Sequence, residues 1–220
     1  MAKKTHTKET TPETLIAHYM NYVLEHEHHP KSVYKFCQSL GIEEPAFYAL
    51  FGSLEGLKKA IWTTFYDNVQ SLLQANEAYQ GYGQREKLLT FFFTLFEILT
   101  LNRSYVLFCL KEHRPMLKNL PQLKDMRKRL LGFATDLIDE GNAKKTYKLT
   151  QHHPRLFSEA AWLQFLFLLQ FWMDDASAGF EKTDIAIEKS VNTAFDVFDN
   201  TPLDNIIDFG KFLFKEKMDS

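Results

Sequence analysis

Residues 32–53 read SVYKFCQSLGIEEPAFYALFGS, and the reading of this stretch decides the fold. Val33, Phe36, Cys37 and Leu40 recur at helical spacing after Ser32, so they predict a short helix with one apolar face. Gly41 follows; glycine is the residue that tolerates the left-handed conformation in which many helices end. A second short helix is predicted from Glu44 to Leu50, stopped by Gly52, and Ser53 can cap a longer helix that continues to about Asn76. Two short helices around a glycine turn have the spacing of a helix-turn-helix.

Upstream, Thr10 or Thr11 can cap an initial helix, with Pro12 in its first turn and Glu13 completing a capping box. Leu15, Ile16, Tyr19, Tyr22 and Val23 form its apolar face, and EHEHHP ends it near His26. Residues 1–10 are polar and basic and read as a flexible arm. Downstream, EAYQGYGQ (77–84) is the first break in composition, so it divides a small N-terminal domain, 11–76 with its linking helix, from a larger one, 77–220. Further helices are predicted at about 84–101, 103–113, 120–140, 155–173, 180–199 and 203–216, separated by Asn102, Pro115, Pro121, EGNAKK, Pro154, DDASAG and Pro202. No strand-like alternation stands out, so the expected class is all-α with about nine to ten helices.

Composition narrows function. Hydrophobic residues make up 45% of the 220 and charged residues 25%, which is enough to build a core and too apolar for a disordered chain. Net charge is −2, so no global basic field draws the protein to nucleic acid. The N-terminal residues lack the apolar stretch of a signal peptide. LLTFFFTLFEILTL (88–101) and AAWLQFLFLLQFWM (160–173) have the length of buried core helices rather than stable membrane spans. Cys37 and Cys109 lie in apolar helical patterns and are expected to be free, buried thiols. The expected location is cytoplasmic.

The register Val33, Phe36, Cys37, Gly41, Ile42, Phe47, Tyr48, Phe51, Ser53, Glu55 and Leu57 resembles the N-terminal domain of TetR-family transcriptional regulators. The resemblance covers about residues 10–65 and implies a homodimer binding operator DNA, with a variable C-terminal domain that binds a small molecule. Carried over, it places the Glu44–Leu50 helix in a major groove. Lys31, Lys35, Glu44, Ala46, Tyr48, Ala49 and Lys58 then face DNA, with Tyr48 and Lys58 on phosphates. The departures are functional: where the family usually has Ser or Thr at position 43, His or Tyr at 50 and Lys or Arg at 54, this chain has Glu43, Leu50 and Leu54. In residues 1–66, Lys3, Lys4, Lys8, Lys31, Lys35, Lys58 and Lys59 are balanced by Glu9, Glu13, Glu25, Glu27, Glu43, Glu44 and Glu55. With histidines neutral the segment sums to zero, which predicts weak phosphate binding.

At the other end, FWMDDASAGFEKTDIAIEKSVNTAFDVFD (171–199) resembles ubiquinone-biosynthesis lipid-binding proteins of TetR-like fold, which implies a lipid carrier with no DNA role as the alternative function. The simpler reading of Asp174 and Asp175 is polar residues ending an apolar helix, one of them capping the next. Leu203, Ile206, Ile207, Gly210 and Phe214 share one face of a last helix, read as docked on its own domain or a partner.

Phe91, Phe92, Phe93, Leu95 and Phe96, like Trp162, Phe165, Leu166, Phe167, Leu169, Phe171 and Trp172, cover more than one helical face, as buried helices do. They are read as core plus dimer interface, the latter at about 155–199, with an apolar pocket among them. Phe92, Phe96, Phe108, Trp162, Phe165 and Leu169 are the expected pocket lining for an apolar or amphipathic ligand. Arg103, His113 and Gln164 are the polar groups placed to orient its head. His26, His28 and His29, and His152 with His153, lack a further ligand at a zinc-like spacing, so no metal and no cofactor is expected. No Ser/His/Asp order, phosphate loop or cysteine cluster points to an enzyme.

Overall fold

A computed structural model describes residues 10–111, 116–143 and 153–200. All regular structure among the described residues is helical: α1 Pro12–His26, α2 Val33–Leu40, α3 Glu44–Tyr48, α4 Leu54–Ala75, α5 Gln84–Leu101, α6 Arg103–Lys111, α7 Lys124–Ala143, α8 Pro154–Asp174 and α9 Glu181–Asn200. Short 3-10 turns lie at Glu77–Gly81, Met116–Leu123 and Ala178–Phe180. The chain divides into two compact units. Of the described residues, 10–65 with 99–111 and 116–126 form the first; 66–98 with 127–143 and 153–200 form the second.

In the first unit α1 opens on a capping box, but the partner of Thr11 is Thr14, not Glu13. The Thr11 hydroxyl accepts from the Thr14 amide at 3.2 Å, and the Thr11 amide donates to Thr14 Oγ1 at 2.9 Å. The reciprocal bond needs the third helical residue, and Glu13 is the second. Ser32 caps α2 by accepting from the Lys35 amide at 3.2 Å. The core runs through Leu15, Tyr19, Phe36, Phe47, Leu57 and Trp62, all fully buried. Phe36 stands edge-on to Tyr19 at 5.7 Å and to Phe47 at 5.9 Å. Val33 and Leu40, expected in that core, are half-buried. The α6 helix packs on α1. The buried Trp62 indole donates to Gln122 Oε1 at 3.0 Å, and the Gln122 amide reaches the Cys109 carbonyl at 3.4 Å. That chain satisfies the one polar atom of a side chain otherwise suited to apolar burial.

Gly41 adopts φ 72°, and its amide bonds back to α2 carbonyls. A Cβ there would meet no atom within 4 Å, so the cost of replacing it is backbone strain alone. Gly41→Ala is expected to destabilise the protein by about 1–2 kcal/mol, read as a lower denaturant midpoint at unchanged slope in a urea melt.

In the second unit the aromatic residues of α5 and α8 supply the interior. Phe91, Phe92, Phe165 and Trp172 are fully buried, and Phe91 stacks on Phe133 of α7 at 4.5 Å. The α8 and α9 helices run antiparallel: Phe157, at the start of α8, meets Phe195 and Phe198, near the end of α9, at 5.3 and 5.2 Å. Arg85–Asp196, Lys87–Glu140 and Arg127–Glu159 ion pairs at 2.6–2.7 Å tie the surface. The EGN of EGNAKK does not break α7, which continues to Ala143; without a proline, hydrogen bonding carries the helix through Gly141. The expected helix at 203–216 lies outside the described residues.

Candidate DNA interface and ligand core

The first candidate surface is built by α2, Gly41 and α3. Phe36, Cys37 and Phe47 turn inward, while Tyr48, Ala49 and Leu50 are exposed. Lys31 and Lys35 are exposed; the Lys35 ammonium donates to Gln38 at 3.2 Å and lies 5.9 Å from the Tyr34 ring centre. Lys58 is mostly buried along its stem and paired with Glu55 at 3.1 Å. Glu44 and Ala46 are half-buried. The α3 helix ends at Tyr48 rather than Leu50, and Glu43, at its N-cap, makes no side-chain hydrogen bond. A Ser hydroxyl can bend back to the helix amides, whereas the longer Glu carboxylate stands in solvent here. Beside the turn an open groove of about 430 Å³ is lined by Tyr34, Gln38, Ile42, Glu43, Glu44 and Pro45. Burial, and then the Glu44 carboxylate, pushes the Cys37 thiol up, so it stays protonated and inert.

The expected ligand residues are distributed over both units. Phe92, Phe96, Trp162, Phe165 and Leu169 are buried in the second. Phe96 lies 6.3 Å from Phe165, which lies 5.3 Å from Trp162. Arg103 and Phe108 are half-buried on α6 in the first unit, where Phe108 meets the His29 ring edge-on at 5.2 Å. His113 lies outside the described residues. Gln164 does not turn to a pocket head group: its amide donates to Ser190 Oγ at 2.9 Å, joining α8 to α9.

That helix pair presents an apolar face to solvent. Leu163, Phe167 and Phe171 follow one another at i, i+4, i+8 on α8 and are 64%, 56% and 36% exposed. Between the helices runs a groove of about 580 Å³ lined by Ala160, Leu163, Phe167, Ala186, Thr193 and Ala194, among others. Among the described residues α8 is the one helix long and apolar enough to cross a membrane, and half of it is buried within the protein.

Asp175 joins α8 to α9. Its Oδ1 accepts from the Ser177 amide at 2.8 Å and hydroxyl at 2.6 Å. Its Oδ2 accepts from the Thr183 amide at 3.0 Å and hydroxyl at 2.7 Å. Of the Asp174–Asp175 pair, this is the cap. The Ser177 and Thr183 donors, led by the Ser177 hydroxyl, hold its carboxyl well below the usual range despite burial. Because the folded value lies below the unfolded one, about 3.9, the stabilisation is complete above that value and fades as pH falls below it. Asp175→Ala is expected to lower the melting temperature at pH 7 by several degrees. The gap between variant and wild type should narrow between about pH 4 and 2, checked by thermal melts across pH.

These features define a class: an all-α protein with a helix-turn-helix at α2–α3 and an antiparallel α8–α9 pair. Residues 87–213 match the tetracyclin repressor-like C-terminal domain, which is more than half of the chain, and the chain belongs to the TetR family of regulators. The sequence matches no curated protein. Among solved structures, the fatty acid degradation regulator FadR from Bacillus halodurans is similar in fold, with a TM-score of 0.52 and 16% identity over 90% of this chain and 98% of that one.

Proposed function

We propose that this protein is a dimeric regulator that binds operator DNA through α2 and α3 and is tuned by an amphipathic small molecule held in its C-terminal domain. The observation that carries this reading is the α2–Gly41–α3 unit, joined to a family-matched C-terminal domain. It keeps its buried face for the core and presents Tyr48, Ala49, Lys31 and Lys35 to solvent. Dimerisation is supported by the exposed Leu163–Phe167–Phe171 stripe, since a monomer does not keep such a patch in water without cause. An acyl-type ligand is supported by the aromatic interior and by the kinship of fold with a fatty acid degradation regulator. The coupling needed to release DNA is about 1–3 kcal/mol. The test is a fluorescence-anisotropy titration against the protein's own promoter fragment, with and without fatty acid. Sequence-specific binding weakened by ligand supports the reading; no binding at low salt removes its DNA half.

A second reading has its own support. Lys58 is tied to Glu55, Glu43 leaves α3 uncapped, and Glu44 sits beside the turn. These favour a lipid-binding protein that keeps the head as structure alone, and the charge-reversal experiment in the Discussion separates the two.

A further inference from the structure

Two furrows in the first unit meet at Ile42. One, of about 220 Å³, runs between α1 and the end of α2, with Thr10, Thr14, His18, Leu40 and Ile42 in its walls. The other is the 430 Å³ groove beside the turn, walled by Tyr34, Gln38, Ile42, Glu43, Glu44 and Pro45. Leu40 and Ile42 are half-buried, and Tyr34 is 57% exposed.

The second groove carries two carboxylates and, among its described residues, no cation. Among the described residues neither Glu43 nor Glu44 makes an ion pair. Glu44 is half-buried, where salt screens a charge less than in open water. Thr10, the first described residue, lines the other furrow. The stretch just before it supplies the complementary charge: Lys3, Lys4 and Lys8 against one carboxylate, Glu9. An extended residue spans at most ~3.3–3.6 Å, so the backbone of Lys8 can lie about 7 Å from Thr10, and that of Lys4 about 20 Å. That reach carries a lysine past Ile42, which both furrows share. Leu40 and Ile42 offer apolar surface to lysine stems whose ammonium groups go on to the carboxylates.

We propose that residues 1–9 of this chain dock along the two furrows and pair their lysines with Glu43 and Glu44, covering the start of α3. Phosphates and these two carboxylates then compete for the same ammonium groups, so the docked segment holds DNA off the α2–α3 face. That consequence rests on the DNA-binding reading given above; the docking does not.

The experiment uses the full-length protein without DNA. A carbodiimide joins a lysine to a carboxylate it touches, and mass spectrometry locates the bond. An equal mixture with ¹⁵N-labelled protein tells links within one chain from links between two. Links from Lys3, Lys4 or Lys8 to Glu43 or Glu44 within one chain are expected at low salt. They should fall at least about tenfold at ~1 M salt, where the screening length is about 3 Å. Links between chains only, or links from these lysines to other carboxylates only, overturn the assignment. Where these lysines form no link at all, hydrogen exchange decides. With Lys3→Gln, Lys4→Gln and Lys8→Gln combined, the amides of 34–48 should exchange about fivefold faster than in wild type, since each exposed ion pair contributes a factor of up to about five. Unchanged exchange there overturns the docking. Either failure leaves the DNA-binding reading intact, because no duplex is present. Absence of duplex binding in the promoter titration removes the competition with DNA and leaves the docking standing.

Discussion

Phe167→Glu should convert the protein from dimer to monomer at micromolar concentration. Phe167 is the middle member of the exposed stripe, between Leu163 and Phe171, and it lines the α8–α9 groove. A two-fold axis through that face would place the new carboxylate in the interface twice. A buried charge without a partner costs several kcal/mol, so the dimer dissociation constant should rise at least about a thousandfold, or roughly 4 kcal/mol. The substitution is at a solvent-facing position of the single chain, so helicity and the monomer's melting behaviour should be nearly unchanged. Sedimentation velocity of wild type and variant checks it. The consequence for DNA should be large too, because a dimer reads two half-sites about one helical turn apart and a monomer reads one. A wild type that sediments as a monomer at the same concentration would refute the interface.

The second large effect is expected from the head. Glu43→Ser with Leu54→Lys should raise affinity for DNA of any sequence by tenfold or more at ~50 mM salt. Glu43 is exposed at the start of α3 and caps nothing, and Leu54 is the first residue of α4, half-buried. Three effects act together. The double substitution removes a negative charge at the rim and adds a cation at a helix start, position 54, where the resembled family usually has Lys or Arg. The serine can also accept from α3 amides, worth about 1 kcal/mol to that five-residue helix. The added phosphate contact should steepen the dependence of log K on log salt by about 0.9. A salt titration of both proteins against the promoter fragment and a scrambled duplex measures this. If wild type binds neither duplex and the double variant binds both equally, the head is structural and the lipid-binding reading takes the lead.

The elements that local chemistry specifies were legible before the fold. Thr11 (one of two candidate caps with Thr10), Gly41 and Ser53 mark helix boundaries because a cap or a left-handed turn involves only residues a few places away, and all three perform those roles; Ser32, expected inside α2, is its cap instead. The Gln84–Leu101 helix has the expected span of about 84–101, because the composition break before it and Asn102 after it are local signals as well. The errors were local too, and small. One is the capping-box partner, which is Thr14 at the third helical position. Another is the length of α3, which ends at Tyr48 rather than Leu50.

Long-range pairing was out of reach. Trp62 meets Gln122 sixty residues away, and Gln164 meets Ser190 rather than a ligand. Only packing partners decide which side of an all-round apolar helix is interior, so the stripe 163–167–171 could not be told from Phe165 and Leu169 by periodicity alone. By itself the sequence determined the all-α class, the helix-turn-helix register and the neutral charge of the head, because periodicity, caps and charge are properties of neighbouring residues. The tertiary structure alone decided which aromatic residues stay exposed and which aspartate caps α9, because burial depends on what the rest of the chain brings alongside.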